Sequence, residues 1–422
     1  MAWGTKKWHL VMLILNLSTI WVVHGVQKVP CYFIFGDSLY DNGNNNNLSN
    51  KTRVNYPLYG VDFPQGPTGR FTNGRNLADI LAQLLGFENF IPAHAASKGD
   101  QDILKGINYA SGGAGIRDET ATNTLGAVIS MNKQLENHQN IVSRIESILG
   151  DKESASEHLS KCIYIVGIGS NDYINNYLLP EFYDTIGIGS NDYINNYLLP
   201  EFYDTSRQYT PEQYAIALTQ QYSQQLKTLY NYGARKVALF GLGPIGCSPG
   251  SVAMYGATGS LCVDYKTKDI QLFNSRLKSL VDDLNNDLKD AKFIYIDSYG
   301  ILGSLLAGVD GFLVNNSPCC EVANLKMHNG VLTCIPSSKP CVTRSLRVFW
   351  DGTHPSEAAN LYSAARSFTA ILTSDAHPFD IHTLAELYNT RTSGLPNDME
   401  LPRVHFPAIN HVKSAGKEGN GT

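Results

Sequence analysis

Short apolar runs alternate with longer amphipathic stretches along the chain. Cys31 to Phe35, Cys162 to Val166, Val237 to Phe240 and Phe293 to Ile296 are compact runs of β-formers, and Ile107 to Ala110 is a weaker one. Each ends near Gly, Ser or Asp, as a strand buried on both faces does. Between them apolar residues recur at helical spacing. Leu77, Ile80, Leu81, Leu84 and Leu85 form a stripe stopped by Gly86, and Ile141, Val142, Ile145, Ile148 and Leu149 one stopped by Gly150. Tyr222, Leu226, Leu229 and Tyr230 precede Gly233, and Phe273, Leu277, Leu280, Val281, Leu284 and Leu288 form the longest stripe. Glycine after the last turn is a common helix stop. A final helix is expected to open at Pro355, with Ala358, Leu361 and Ala365 on its apolar face. Repeated strand–helix units predict one α/β domain, a parallel sheet sandwiched by helices.

The two ends do not follow this pattern. Lys6 and Lys7 precede a mostly apolar stretch from His9 to Val23, and Val23-His24-Gly25 places a small residue after it. Residues 1–25 read as a secretory signal peptide. About 15 apolar residues fall short of the ~20 that span a bilayer, and no later stretch is apolar enough for an integral membrane span. The folded domain is expected over 26–387, followed by a polar tail, 388–422, with scattered Pro and Gly.

Composition narrows the function. The 33 Lys and Arg against 38 Asp and Glu give a net charge of −5 and no basic surface for nucleic acid. Charged residues make up 17%, below the ~25% of an average domain; Asn, Ser, Thr and 23 Tyr supply the polarity instead, which suits a secreted protein and suggests a polar cleft. The eight cysteines, four of them between 319 and 341, suit disulfides of an oxidising compartment. Zinc is the rival for that cluster, but adjacent Cys319 and Cys320 lack the spacing that grips a tetrahedral ion. The pairing stays open. Asn47, Asn50, Asn315 and Asn420 open glycosylation sequons.

One segment occurs twice. GIGSNDYINNYLLPEFYDT fills 167–185 and again 187–205. Two copies are too few for a solenoid. Only one can follow the run CIYIV, so the other is expected as an inserted surface segment.

Some motifs mislead. Gly246-Cys247-Ser248-Pro249-Gly250 matches the nucleophile elbow G-x-S-x-G, yet the residue after Ser248 should lend its N–H to the oxyanion hole, and Pro249 has none. No helix is expected to start there. Pro244 and Pro249 argue that Gly241-x-Gly243-x-x-Gly246 is a tight loop rather than a dinucleotide site. The run Asp37, Asp41, Asn42, Gly43 and Asn44 to Asn47 lacks the closing Glu of a calcium loop and is expected to be an active-site rim or a solvated turn.

Four other pieces carry chemistry. GDSL places Ser38 just beyond the first strand, where ligands of parallel sheets bind. Asp351-Gly352-Thr353-His354-Pro355 sets a carboxylate three residues before an imidazole, close enough to hold one tautomer. Gly167-Ile168-Gly169-Ser170-Asn171-Asp172 follows the strand CIYIV and offers an amide donor. Asn108-Tyr109-Ala110-Ser111-Gly112-Gly113-Ala114-Gly115 offers backbone N–H groups that can approach a ligand. GDSL, NYASGGAGI, GSNDY and DGTHP in this order resemble the plant GDSL esterase/lipase family, of the SGNH hydrolase type, over roughly residues 30–387; FGLGPIGCSP and PFDI fit as well.

The resemblance implies a three-layer α/β/α sandwich around a parallel five-stranded sheet, with Ser38 as nucleophile, His354 as general base and Asp351 orienting it. It implies an oxyanion hole from Ser38, Gly113 and Asn171, with Asn191 of the second copy as the competing donor. Such a site cleaves an acyl ester, lipid or small, through an acyl-enzyme and needs no metal or cofactor. An alcohol acceptor would make it a cutin-type acyltransferase, and a site spoiled by the duplication would leave a non-catalytic secreted protein.

Overall fold

The computed structural model describes residues 26–97, 99–177, 205–256, 262–308, 314–322 and 332–387. The expected signal peptide, the tail 388–422 and Asn191 lie outside the described residues, and the fold is that of the unit ending at Leu387.

Strands β1 (Tyr32–Gly36), β2 (Ile163–Gly167), β3 (Lys236–Phe240) and β4 (Lys292–Ile296) pair in parallel in chain order. β5 (Val314–Pro318) and β6 (Arg347–Phe349) form a separate parallel pair. β7 (Ala376–His377) closes the main sheet antiparallel to β4. The longer helices are α1 (Leu77–Leu84), α2 (Met131–Leu149), α3 (Lys152–Lys161), α4 (Pro211–Asn231), α5 (Pro249–Tyr255), α6 (Asp264–Asp287), α7 (Ser298–Leu306), α8 (Glu357–Phe368) and α9 (Ile381–Glu386).

Strand residues alternate between two cores. Phe33, Phe35, Tyr164, Val166, Val237, Leu239 and Phe293 pack against α2, α3, α4 and α6. Ile34, Ile163, Ile165, Ala238, Phe240 and Ile294 pack against α1, α8 and α9 on the other face. The expected three layers are therefore present.

The five expected strands are not all parallel. Ile107–Ala110 runs beside β1, bonded through Ile34 N–H to Ile107 O (3.0 Å) and Tyr109 N–H to Ile34 O (2.8 Å), but makes only isolated bridges. Its outer edge meets backbone only at Asn108, which bonds Pro92 O and His94 N–H, and side chains claim the rest: Asn44 Nδ2 donates to Asn108 O and Ala110 O, and Ala110 N–H turns onto Asn108 Oδ1. The fifth strand is instead the antiparallel β7. The last helix also differs from expectation. Ser356 caps α8, and Pro355 precedes the cap, held in a bridge to Phe349. Its buried face is Ala359, Asn360, Ala364, Ser367 and Phe368, not Ala358 and Ala365. Polar residues can sit there because Arg366 pairs with Asp375 and Asn360 donates to Arg75 O.

Disulfides join Cys31 to Cys162, Cys247 to Cys262, Cys319 to Cys341 and Cys320 to Cys334. The first ties the residues preceding β1 and β2 across 131 positions, a long loop whose closure restrains the unfolded chain strongly.

The described part of the first copy of the duplicated segment, residues 167–177, is built into the fold. It continues from β2 through Tyr177, whose ring stacks on Tyr214 at 4.7 Å. Thr205, the last residue of the second copy, donates to Asn176 Oδ1 at 2.5 Å. Because the copies are identical, excising residues 178–197 restores one segment and keeps both contacts. Loop closure favours the shorter link by about 1 kcal/mol. The excised protein is expected to melt at the same temperature or slightly higher; a clearly lower Tm in calorimetry would show that the second copy is structural.

Candidate functional site

β1 delivers Ser38 into a turn that its own sequence closes. Asp37 Oδ1 accepts the Leu39 N–H at 3.0 Å, and Asp37 O accepts the N–H groups of Tyr40 and Asp41. The half-buried Ser38 Oγ then lies 2.8 Å from His354 Nε2, a contact across 316 positions. His354 Nδ1 lies 2.9 and 2.8 Å from the two Asp351 oxygens. With Nδ1 facing a carboxylate, the neutral ring carries its proton there and Nε2 accepts from the serine hydroxyl.

Asp351 is fully buried, so its charge needs donors. Oδ1 accepts the N–H groups of Thr353 (2.9 Å) and His354 (2.7 Å), and Oδ2 accepts the Tyr59 hydroxyl at 2.6 Å. The loop itself is pinned from outside: Cys319 and Cys320 donate their N–H groups to Trp350 O, and Trp350 N–H donates to His354 O. The Phe71 ring packs on the imidazole at 4.8 Å.

Gly113 and Asn171 line the same cavity as Ser38 and His354. Gly113 has φ +86°, the left-handed region that favours glycine, and an added Cβ would press on Val128 and Leu125. Among the described residues, the N–H groups of Ser38 and Gly113 have no protein acceptor. Asn171 Nδ2 donates to Ala114 O at 2.9 Å, while Asn175 Nδ2 donates to Asn171 Oδ1 at 2.7 Å. That second bond orients the amide and leaves the other Nδ2 hydrogen uncommitted.

Only the ends of the asparagine-rich run meet the expectation of a rim or a solvated turn, Asp37 lining the cavity and Asn47 being exposed. Asn44 and Asn45 are buried. Asp41 accepts from the N–H groups of Gly43, Asn44 and Gly112, and Asn45 Nδ2 donates to Gly112 O. These residues hold the Gly113 loop, a role that the sequence does not announce although the run itself stands out. Asp172 does the same from the other side, accepting from Ile116 N–H, Arg117 N–H and the Thr120 hydroxyl. The cavity walls are largely apolar, with Phe71, Leu125, Ile174, Leu302, Val348 and Phe349 among them. The expected polar cleft is thus overturned, because the asparagines are spent on backbone carbonyls.

Ser248 also reaches the cavity wall, and a helix does start there: it caps α5, accepting from Ser251 N–H. Pro249 sits at the first helical position, where no N–H is needed. The Ser248 hydroxyl bonds Ser251 Oγ at 3.1 Å, whereas the imidazole is on Ser38. The Gly241–Gly246 stretch is a tight loop whose Leu242 is clasped by Asn274 through both N–H and C=O.

The doubly covered, mostly parallel sheet defines an α/β fold, in which a hydroxyl just past β1 lies in line with an imidazole and a carboxylate from the loop after β6. Residues 32–185 and 183–366 match the GDSL-like lipase/acylhydrolase family, the two matches dividing at the duplication. The chain is 48% identical over 385 residues to the GDSL esterase/lipase At1g29660 of Arabidopsis thaliana, covering 90% of this chain and 99% of the relative. It is 47% identical over 380 residues to At5g45670 and 48% over 384 to At1g29670, GDSL esterase/lipases of the same plant, each covering 90% of this chain and 98% of the relative. The chain belongs to the GDSL-like lipase/acylhydrolase family, and its class is that of the carboxylic ester hydrolases.

Burial leaves a pH signature beside the nucleophile. Desolvation pushes the Asp37 carboxyl up to about 7, against the opposing pull of the Leu39 N–H and of His354. A carboxyl raised on folding binds its proton more tightly in the native state, so its contribution to stability declines as pH rises from about 4 to about 7. Asp37→Asn mimics the neutral acid. The variant is expected to match the parent protein near pH 4 and to exceed it increasingly up to pH 7, by at most about 4 kcal/mol. A stability difference that stays flat with pH in thermal melts would refute this.

Proposed function

We propose that the protein is a secreted serine esterase/lipase that cleaves acyl esters through an acyl-enzyme on Ser38. The observation that carries this reading is the continuous line Ser38 Oγ–His354 Nε2 and His354 Nδ1–Asp351, each step at 2.8–2.9 Å. His354 takes the Ser38 proton as the oxygen attacks the ester carbonyl. Asp351 stabilises the imidazolium that results. The carbonyl oxygen gains negative charge, which the uncommitted N–H groups of Ser38 and Gly113 and the free hydrogen of Asn171 receive. His354 then protonates the leaving alcohol, and water repeats the sequence to release the acid. The chemistry needs no metal or cofactor.

The apolar walls suit the acyl chain, since apolar surface leaves water favourably there. Asn171 is preferred over Asn191 as the amide donor because it follows β2 directly and its amide is already oriented. Secretion is supported by the amino-terminal pattern and by disulfides that persist in oxidising compartments. Asn47 is exposed and open to a glycan, whereas the Asn50 amide is engaged with Ala127 O.

Ser38→Ala is expected to cut hydrolysis of a short p-nitrophenyl ester by at least about 10³-fold, and retention of most turnover would remove Ser38 from the mechanism. Asn171→Ala should lower kcat by about 10²–10³-fold while Asn191→Ala leaves it unchanged; the reverse ranking would assign the hole to the second copy. Product analysis with a competing alcohol decides between water and alcohol as acceptor.

A further inference from the structure

We propose that Tyr59 is a positioning residue for the reaction: its phenol holds the Asp351 carboxylate and thereby sets the aim and basicity of His354. This rests on the catalytic roles of Ser38, His354 and Asp351 proposed for the reaction.

The Tyr59 hydroxyl donates to Asp351 Oδ2 at 2.6 Å, the oxygen that also lies 2.8 Å from His354 Nδ1. The same hydroxyl accepts the Cys334 N–H at 3.1 Å, so its single proton is directed at the carboxylate. Burial pushes the phenol far above its ordinary pKa and keeps it a donor. Tyr59 is not among the residues lining the cavity, so it acts through Asp351 and not on substrate.

Two further features aim the ring. Leu58, just before it, has φ +104°, a conformation that a branched side chain avoids. Gly60, just after it, has φ +66°, and a Cβ there would lie 2.1 Å from Gly66 O. Strain held at Leu58, next to a tyrosine whose other neighbour must be glycine, indicates that the direction of the ring matters. The far end is fixed by the Cys320–Cys334 disulfide, with Cys334 N–H on the phenol and Cys320 N–H on Trp350 O, the carbonyl preceding Asp351. One covalent bridge thus references both the phenol and the carboxylate.

The phenol draws charge from Oδ2. Without it, more negative charge faces the imidazole, which binds its proton more tightly, while Asp37, the other carboxyl acting on His354, is the same in both proteins. Tyr59→Phe keeps the ring and removes the donor. It is expected to lower kcat about ten-fold with KM little changed, and to move the acidic limb of the kcat/KM profile upward by about half a pH unit. Labelling of Ser38 by a fluorophosphonate should slow by a similar factor. Leu229→Ala, which removes stability from the α4 core on the face of the sheet opposite α8, should leave the profile in place. 3-Fluorotyrosine at position 59, nearly isosteric and a stronger donor, should move the limb downward and covers the case in which Tyr59→Phe does not fold. An unmoved limb and parental labelling rate in Tyr59→Phe, or an unmoved limb with 3-fluorotyrosine, overturns the proposal while Ser38 still labels. Absence of labelling at Ser38 in the parent protein overturns the catalytic reading and the proposal with it.

Discussion

The pairing of β1 with β2 sets everything at the strand ends. Gly36 stands opposite Gly167 at the last rung, and neither tolerates a side chain: a Cβ on Gly36 would lie 2.7 Å from Gly167 O, and one on Gly167 would lie 2.3 Å from the Tyr40 ring. The two chain segments therefore leave the sheet at one level, beneath a buried tyrosine, and Ser38 and Asn171 open onto the same cavity. Substituting either glycine would have to separate the loops or expel Tyr40.

Around that rung the loops are held by polar groups in a dry setting. A buried amide or carboxylate without partners is costly, so the partners define one geometry. Asp41, Asn44, Asn45 and Asn108 spend their side chains on the backbone of residues 40–45 and 108–112. Gln134 clasps both the N–H and the C=O of Gly36. The site is thus rigid through hydrogen bonds to main chain, while its walls remain apolar.

This division explains what could be read from the sequence. The four parallel strands are continuous apolar runs, because both faces are covered, and their glycine-stopped helices are equally plain. Ser38, His354 and Asp351 carry local motifs. The fifth strand has two residues and no pattern, and the helix after His354 hides its face because Arg366 and Asn360 are buried with partners. The asparagine run looked like surface because composition does not report which carbonyls a side chain meets. Tyr59 had no mark at all: its significance arises from Asp351, 292 positions away. Disulfide pairing likewise follows from loop geometry that no spacing expresses.

The separation of Ser38 from its imidazole has a consequence for biosynthesis. A nascent chain that has exposed the first strand, or even the first four, holds the hydroxyl without the imidazole that meets it in the fold. The loop bearing Asp351 and His354 emerges near the end of translation, after the Cys319 and Cys320 backbone on which Trp350 is anchored. The hydroxyl and the imidazole can therefore meet only after the 316 positions between them have been synthesised.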